Sequence, residues 1–143
     1  MACIARSTFP PRRLWQDRTE RLGTASLQGR SILVVEDDYM IAQDVQEELE
    51  GAGAAVVGPV PSVSDALHLI ESKAIDAAVL DVNLGQERSF PIAEALEARA
   101  IPFLFATGYN SADIPDEWQR AVIVMKPLRI AAVEQLLASG ESR

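Results

Sequence analysis

The chain has 143 residues, 48% of them hydrophobic and 24% charged, with a net charge of −8; that suffices for one domain with a proper core and is too short for two. The charge is split: residues 1–30 carry six arginines against Asp17 and Glu20 (+4), residues 31–143 seven Lys or Arg against nineteen Asp or Glu (−12), and so acidic a body disfavours direct contact with nucleic acid or anionic lipid. Cys3 alone cannot form an intramolecular disulfide, and no apolar run has membrane-spanning length or the make-up of a secretory signal, so a reducing, cytoplasmic setting is expected.

Residues 1–30 show no sustained period of 2 or 3.6 and contain Pro10-Pro11, Gly23 and Gly29. They read as a basic, disordered extension with room for a short helix around Leu14 to Leu22, and residues 31–143 as the domain. From Ser31 the pattern alternates. Ile32–Val35 predicts a first strand. Asp38 is placed to cap a helix from about Tyr39 to Glu50, with Ile41, Val45 and Leu49 on one face, ending at Gly51-Ala52-Gly53. Ala54–Val57 is a second strand closed by Gly58-Pro59. Ser62 with Asp65 three residues on marks the start of a second helix, with Ala66, Leu67 and Ile70 inward and His68 on the surface.

Ala77–Leu80 predicts a third strand, Asn83 to Arg88 a polar loop, and Pro91 the first turn of a third helix facing inward through Ile92, Ala95 and Leu96. Pro102–Ala106 and Ala121–Met125 predict the fourth and fifth strands, and Ile130, Val133, Leu136 and Leu137 the inner face of a last helix. Gly108 to Arg120 is a poor helix, with one credible turn from Pro115 to Arg120 in a loose segment. Trp118 there is either an exposed partner anchor or packing over this thin element. The alternation specifies an α/β fold, a doubly wound parallel sheet with helices on both faces.

Four apolar runs stop at polar residues: ILVV at Glu36-Asp37, AAVL at Asp81, PFLFA at Thr107 and AVIVM at Lys126. Open parallel sheets bind ligands just beyond the carboxyl ends of their strands, so these side chains are expected in one cleft. Clustered carboxylates repel unless a cation sits among them. The expected chemistry is Mg²⁺-assisted handling of a phosphoryl group.

With ILVVEDD, VLDVNLG, FATGY and VMKPL in this order, the chain from Ser31 to about Ala138 resembles a two-component response-regulator receiver domain of the CheY-like kind. The resemblance covers about three quarters of the sequence. It implies a (βα)5 sandwich of strand order 2-1-3-4-5 with helix 4 short or irregular. It makes Asp81 the phosphoacceptor, with Mg²⁺ held directly by Asp37 and Asp81, by Glu36 through water and by the Asn83 carbonyl. Lys126 is expected to pair with Asp81 and then with the phosphoryl group, aimed by a cis bond to Pro127. Thr107 is the switch hydroxyl and Gly108 keeps the cleft open. The usual strand-5 aromatic is Ile123 here, and Tyr109 follows Thr107 by two; this FATGY pattern resembles a single-domain receiver subgroup in which Tyr109 would take over the switching. Gly85, where many receivers have Pro, suggests a mobile loop.

The implied function is a stand-alone response regulator. It would be phosphorylated by a sensor histidine kinase or histidine phosphotransfer protein, and would be a monomer or a phosphorylation-dependent homodimer. No enzyme activity is expected beyond self-catalysed phosphorylation and dephosphorylation. Two other classes stay open. A haloacid-dehalogenase-like phosphatase also uses an Asp nucleophile with Mg²⁺, but wants a second Asp where Asn83 stands. A phosphorylation-independent protein-interaction scaffold would need none of these side chains. A flavodoxin-like cofactor binder would need a Gly, Ser or Thr phosphate loop where the first strand runs into Glu-Asp-Asp.

Overall fold

The computed structural model describes residues 27–108 and 114–139. In chain order the elements are β1 (Ser31–Val35), α1 (Tyr39–Gly51), β2 (Ala55–Val60), α2 (Val63–Ser72), β3 (Ala77–Asp81), β4 (Asn83–Leu84), β5 (Glu87–Arg88), α3 (Phe90–Ala98), β6 (Phe103–Thr107), a 3₁₀ turn (Asp116–Trp118), β7 (Val122–Met125) and α4 (Ile130–Ser139). The main sheet is parallel in the order β2-β1-β3-β6-β7, the expected 2-1-3-4-5 once the small β4–β5 pair is set aside. β1 sends the chain to β2 on one side, and β3 lies on the other. Their carboxyl ends therefore flank the switch point where such sheets open a crevice.

Strict alternation splits the strands between two cores. Leu33, Val35, Ala78, Leu80, Phe103 and Phe105 face α2 and α3. Ile32, Val34, Ala77, Val79, Leu104 and Ala106 face α1 and α4. The first face is filled by aromatics. Trp118, 3% exposed, stacks on Phe90 at 6.3 Å and meets Phe103 and Phe105 edge-on at 6.0 Å, distances at which such pairs attract beyond their area burial. Packing, and not a partner anchor, is therefore the role of Trp118. The second face has small residues at its upper end, Val79 and Ala106, and this matters for α1.

Helix α1 departs from expectation on that face. Of its predicted apolar stripe Leu49 is fully buried, Val45 is half-buried and Ile41 is 36% exposed. The side chains beneath the N-terminal turns are too short to reach them. The helix start is as predicted: Asp38 Oδ1 accepts the Met40 and Ile41 amides at 3.0 and 3.1 Å. Asp38→Ala is expected to cost about 1 kcal/mol, measured as a lower urea midpoint with unchanged slope. Ser62 likewise accepts the Asp65 amide at 3.2 Å.

The predicted polar loop after β3 is instead a hairpin, with Asn83 opposite Arg88 and Leu84 opposite Glu87. Gly85 takes φ +67° at the first central position of its two-residue turn, where a II′ geometry requires glycine. The packed unit takes in Leu27, 1% exposed, while residues 1–26, the bulk of the predicted extension, lie outside the described residues. No helix among the described residues is long and apolar enough to cross a membrane.

Candidate functional site

At the end of β1 the Glu36 amide bonds the Val60 carbonyl at 3.0 Å, which holds the Glu36 backbone against the end of β2. Its side chain, 7% exposed, is occupied at both oxygens. Oε2 accepts the Asp38 amide at 3.1 Å and Oε1 accepts Lys126 Nζ at 2.8 Å. Asp81 closes β3 at 9% exposure, and its Oδ1 lies 3.3 Å from the same ammonium. Lys126 thus joins both acids, with its shorter contact to Glu36, where sequence reasoning paired it with Asp81. Carboxylate oxygens of Glu36, Asp37 and Asp81 all lie within 4.8 Å of one another.

The electrostatics follow from this crowding. Burial, and then the hydrogen-bonded and charged Glu36 beside it, push the Asp81 carboxyl up from its ordinary 3.8 to about 7, against the pull of Lys126. Burial alone would lower the Lys126 ammonium, but its hydrogen bond to Glu36 and the charges of Asp81 and Glu36 outweigh that and raise it. One ammonium does not neutralise three acids. The donor set fits a hard divalent cation with oxygen ligands: Glu36, Asp37 and Asp81 each bring a carboxylate oxygen to it, and Asp37 is the exposed one.

The other residues singled out by the sequence lie on elements that follow or neighbour these strands. Asn83 sits in β4, exposed, one residue beyond Val82. The hairpin tip lies beside Asp37: a Cβ on Gly85 would come within 3.8 Å of Asp37 Oδ2. Thr107, 7% exposed, follows Ala106, the register partner of Asp81, and its carbonyl accepts the Lys126 amide at 2.8 Å. A Cβ added to Gly108 would meet nothing within 4 Å. Lys126–Pro127 is cis, and so is Gly58–Pro59, where the sequence suggested an ordinary turn. Tyr109 lies outside the described residues.

A feature not foreseen from sequence is a groove of about 580 Å³ running from Glu36, Asp81 and Lys126 between α1 and Pro127-Leu128. Val34, Val79 and Ala106 form its floor, and Asp44, Glu47 and Glu48 of α1 lie along its flank. The available signal was the pair of short side chains, Val79 and Ala106, near the carboxyl ends of β3 and β6.

Comparison with known proteins agrees with this geometry. Residues 32–136 match the model of the response regulator receiver domain. The chain is 42% identical to SdrG from Sphingomonas melonis, with a TM-score of 0.67 over 78% of this chain and 95% of that one. It is 39% identical to the BeF3-activated conformation of SdrG from Pseudomonas melonis, with a TM-score of 0.64 over 82% and 98%. It is also 27% identical over 113 residues, 76% of this chain and 42% of the other, to the phyllosphere-induced regulator PhyR of Methylorubrum extorquens. The chain spans about half the length of the curated relatives it matches. With the parallel five-stranded sheet and the acid–lysine cluster at its carboxyl edge, the chain belongs to the response regulator receiver domains of two-component signalling.

Proposed function

We propose that the protein is a phosphoacceptor switch, taking a phosphoryl group on Asp81 from a phosphohistidine of a sensor kinase or phosphotransfer protein and passing the change of state to a protein partner. The observation that carries this reading is the convergence of Glu36, Asp37 and Asp81 oxygens within 4.8 Å of one another, with Lys126 Nζ 2.8 Å from Glu36 and 3.3 Å from Asp81. Such a cluster is costly for a fold and useful for phosphoryl transfer.

In the proposed reaction an Asp81 carboxylate oxygen attacks the phosphorus, the P–N bond breaks, and the imidazole of the donor leaves with the electron pair. Asp37, Asp81 and the Asn83 carbonyl would hold Mg²⁺, which supplies charge neutralisation at the equatorial oxygens and keeps several of its waters. Glu36 holds Lys126 against the site so that the ammonium can meet a phosphoryl oxygen as a point charge. Thr107, at the next position of the neighbouring strand, offers a hydroxyl to the same group. Its movement would bias the segment that follows, the two-state element such a switch requires. Turnover of a free phosphomonoester is not expected, because the position two residues after Asp81 is the amide Asn83 and not a second acid.

SdrG was solved in a BeF3-activated conformation, which supports the same experiment here. Beryllofluoride with Mg²⁺ is expected to shift the amide resonances of Asp81, Thr107, Gly108 and Lys126 in the wild type and to leave them in place in Asp81→Asn. Identical spectra with and without beryllofluoride in a folded wild-type sample would contradict the proposal.

A further inference from the structure

The groove beside α1 extends well beyond the phosphoryl chemistry. Helix α1 carries Asp44, Glu47, Glu48 and Glu50 and has no Lys or Arg. Two of these acids bond glutamines of their own helix, Gln43 to Glu47 at 3.4 Å and Gln46 to Glu50 at 3.2 Å. Lys126 pairs with Glu36 and Asp81, and among the described residues no cation is paired with the acids of α1. Beside this acidic flank lies the apolar floor of Val34, Val79 and Ala106, with Ile41 and Leu128 at its sides.

The chain supplies a segment of matching chemistry close by. Leu27 is buried in the same core as Leu49 and Ala52, and its amide bonds the Ala52 carbonyl at 2.8 Å. The preceding 26 residues therefore join the domain at the C-terminal foot of α1. They hold Arg6, Arg12, Arg13, Arg18 and Arg21 against Asp17 and Glu20, a charge of +3 beside −11 for the rest, with Leu14 and Trp15 among the arginines. The 13 residues of α1 span ~20 Å, a distance that about six extended residues cover. A tether this short gives a high effective concentration, so even a weak contact is populated.

We infer that the arginine-rich segment around Arg12–Arg21 docks in cis along the acidic flank of α1, with Leu14 and Trp15 over the apolar groove. The arginines compensate Asp44, Glu47 and Glu48, and the apolar pair covers the floor that small strand residues leave unfilled.

The test is paramagnetic broadening in the full chain, with a nitroxide attached through Thr19→Cys in a Cys3→Ser background. Amides of Asp44, Glu48 and Leu128 are expected to lose intensity roughly twofold or more while those of α2 do not, and the loss should fade in about 0.5 M salt and in Glu47→Lys/Glu48→Lys. Equal intensities for α1 and α2 would overturn the inference. So would broadening that ignores salt and the charge reversal, or broadening that stays as strong when the nitroxide and the isotope label are carried on separate, mixed molecules, since the occupant would then be a second copy.

Discussion

Asp81→Asn is expected to stabilise the metal-free protein by roughly 2 kcal/mol while ending phosphoryl uptake. The carboxyl is pushed up to about 7 by burial first and by Glu36 second, so its ionised form opposes folding. The rise from 3.8 would be worth at most ~4 kcal/mol, and the opening of the groove to solvent brings the expected gain to about half of that. The sign fixes the pH dependence. Between 3.8 and about 7 the folded state binds more protons at this position than the unfolded one, so its contribution falls as pH rises through that window and is flat above it. The wild type should lose stability from about pH 4 to pH 8 without metal, and Asp81→Asn should lose less. Thermal unfolding across that range, with and without Mg²⁺, checks both statements; Mg²⁺ should recover part of the loss in the wild type and little in the variant. A variant less stable than the wild type at pH 8 without metal would mean that Lys126 outweighs burial and Glu36.

Lys126→Ala is expected to slow phosphoryl uptake on the order of 10²-fold, the scale seen when one positioned donor is removed from a developing oxyanion. The side chain bridges Glu36 at 2.8 Å and Asp81 at 3.3 Å, so its loss leaves two nearly buried carboxylates facing each other. Lys126→Arg separates the two roles. It restores a positive charge and should recover most of the stability, but its planar fork cannot sit as a compact charge between two acids and a phosphoryl oxygen, so the rate should stay low. Single-turnover phosphorylation by a small-molecule donor, with unfolding midpoints for the same three proteins, distinguishes a chemical role from a structural one.

Much of the fold was legible because its determinants are local. Short continuous apolar runs such as ILVV, AAVL and FLFA mark strands buried on both faces, and Asp38 and Ser62 announce helix starts that bond as expected. The candidate site was legible at the level of which side chains meet, because strand ends in an open parallel sheet converge. Other features depend on partners distant in sequence. The preference of Lys126 for Glu36 is decided across ninety positions by how the chain after Val35 is held to Val60. The exposure of Ile41 follows from Val79 and Ala106 being small, a property of other strands. Trp118 could be assigned to the core only once Phe90, Phe103 and Phe105 were seen to enclose it. The hairpin of Asn83 to Arg88 had a local signal, Gly85 at the head of a two-residue turn, masked by the polarity of its neighbours.

The most direct test of the account is the fate of the protein mixed with acetyl phosphate and Mg²⁺, followed by intact mass and peptide mapping. One phosphoryl group is expected, located on the peptide containing Asp81, absent when Mg²⁺ is chelated and absent in Asp81→Asn. Phosphoryl incorporation that persists in Asp81→Asn, or a folded wild-type protein that stays unmodified with Mg²⁺ present, would contradict it.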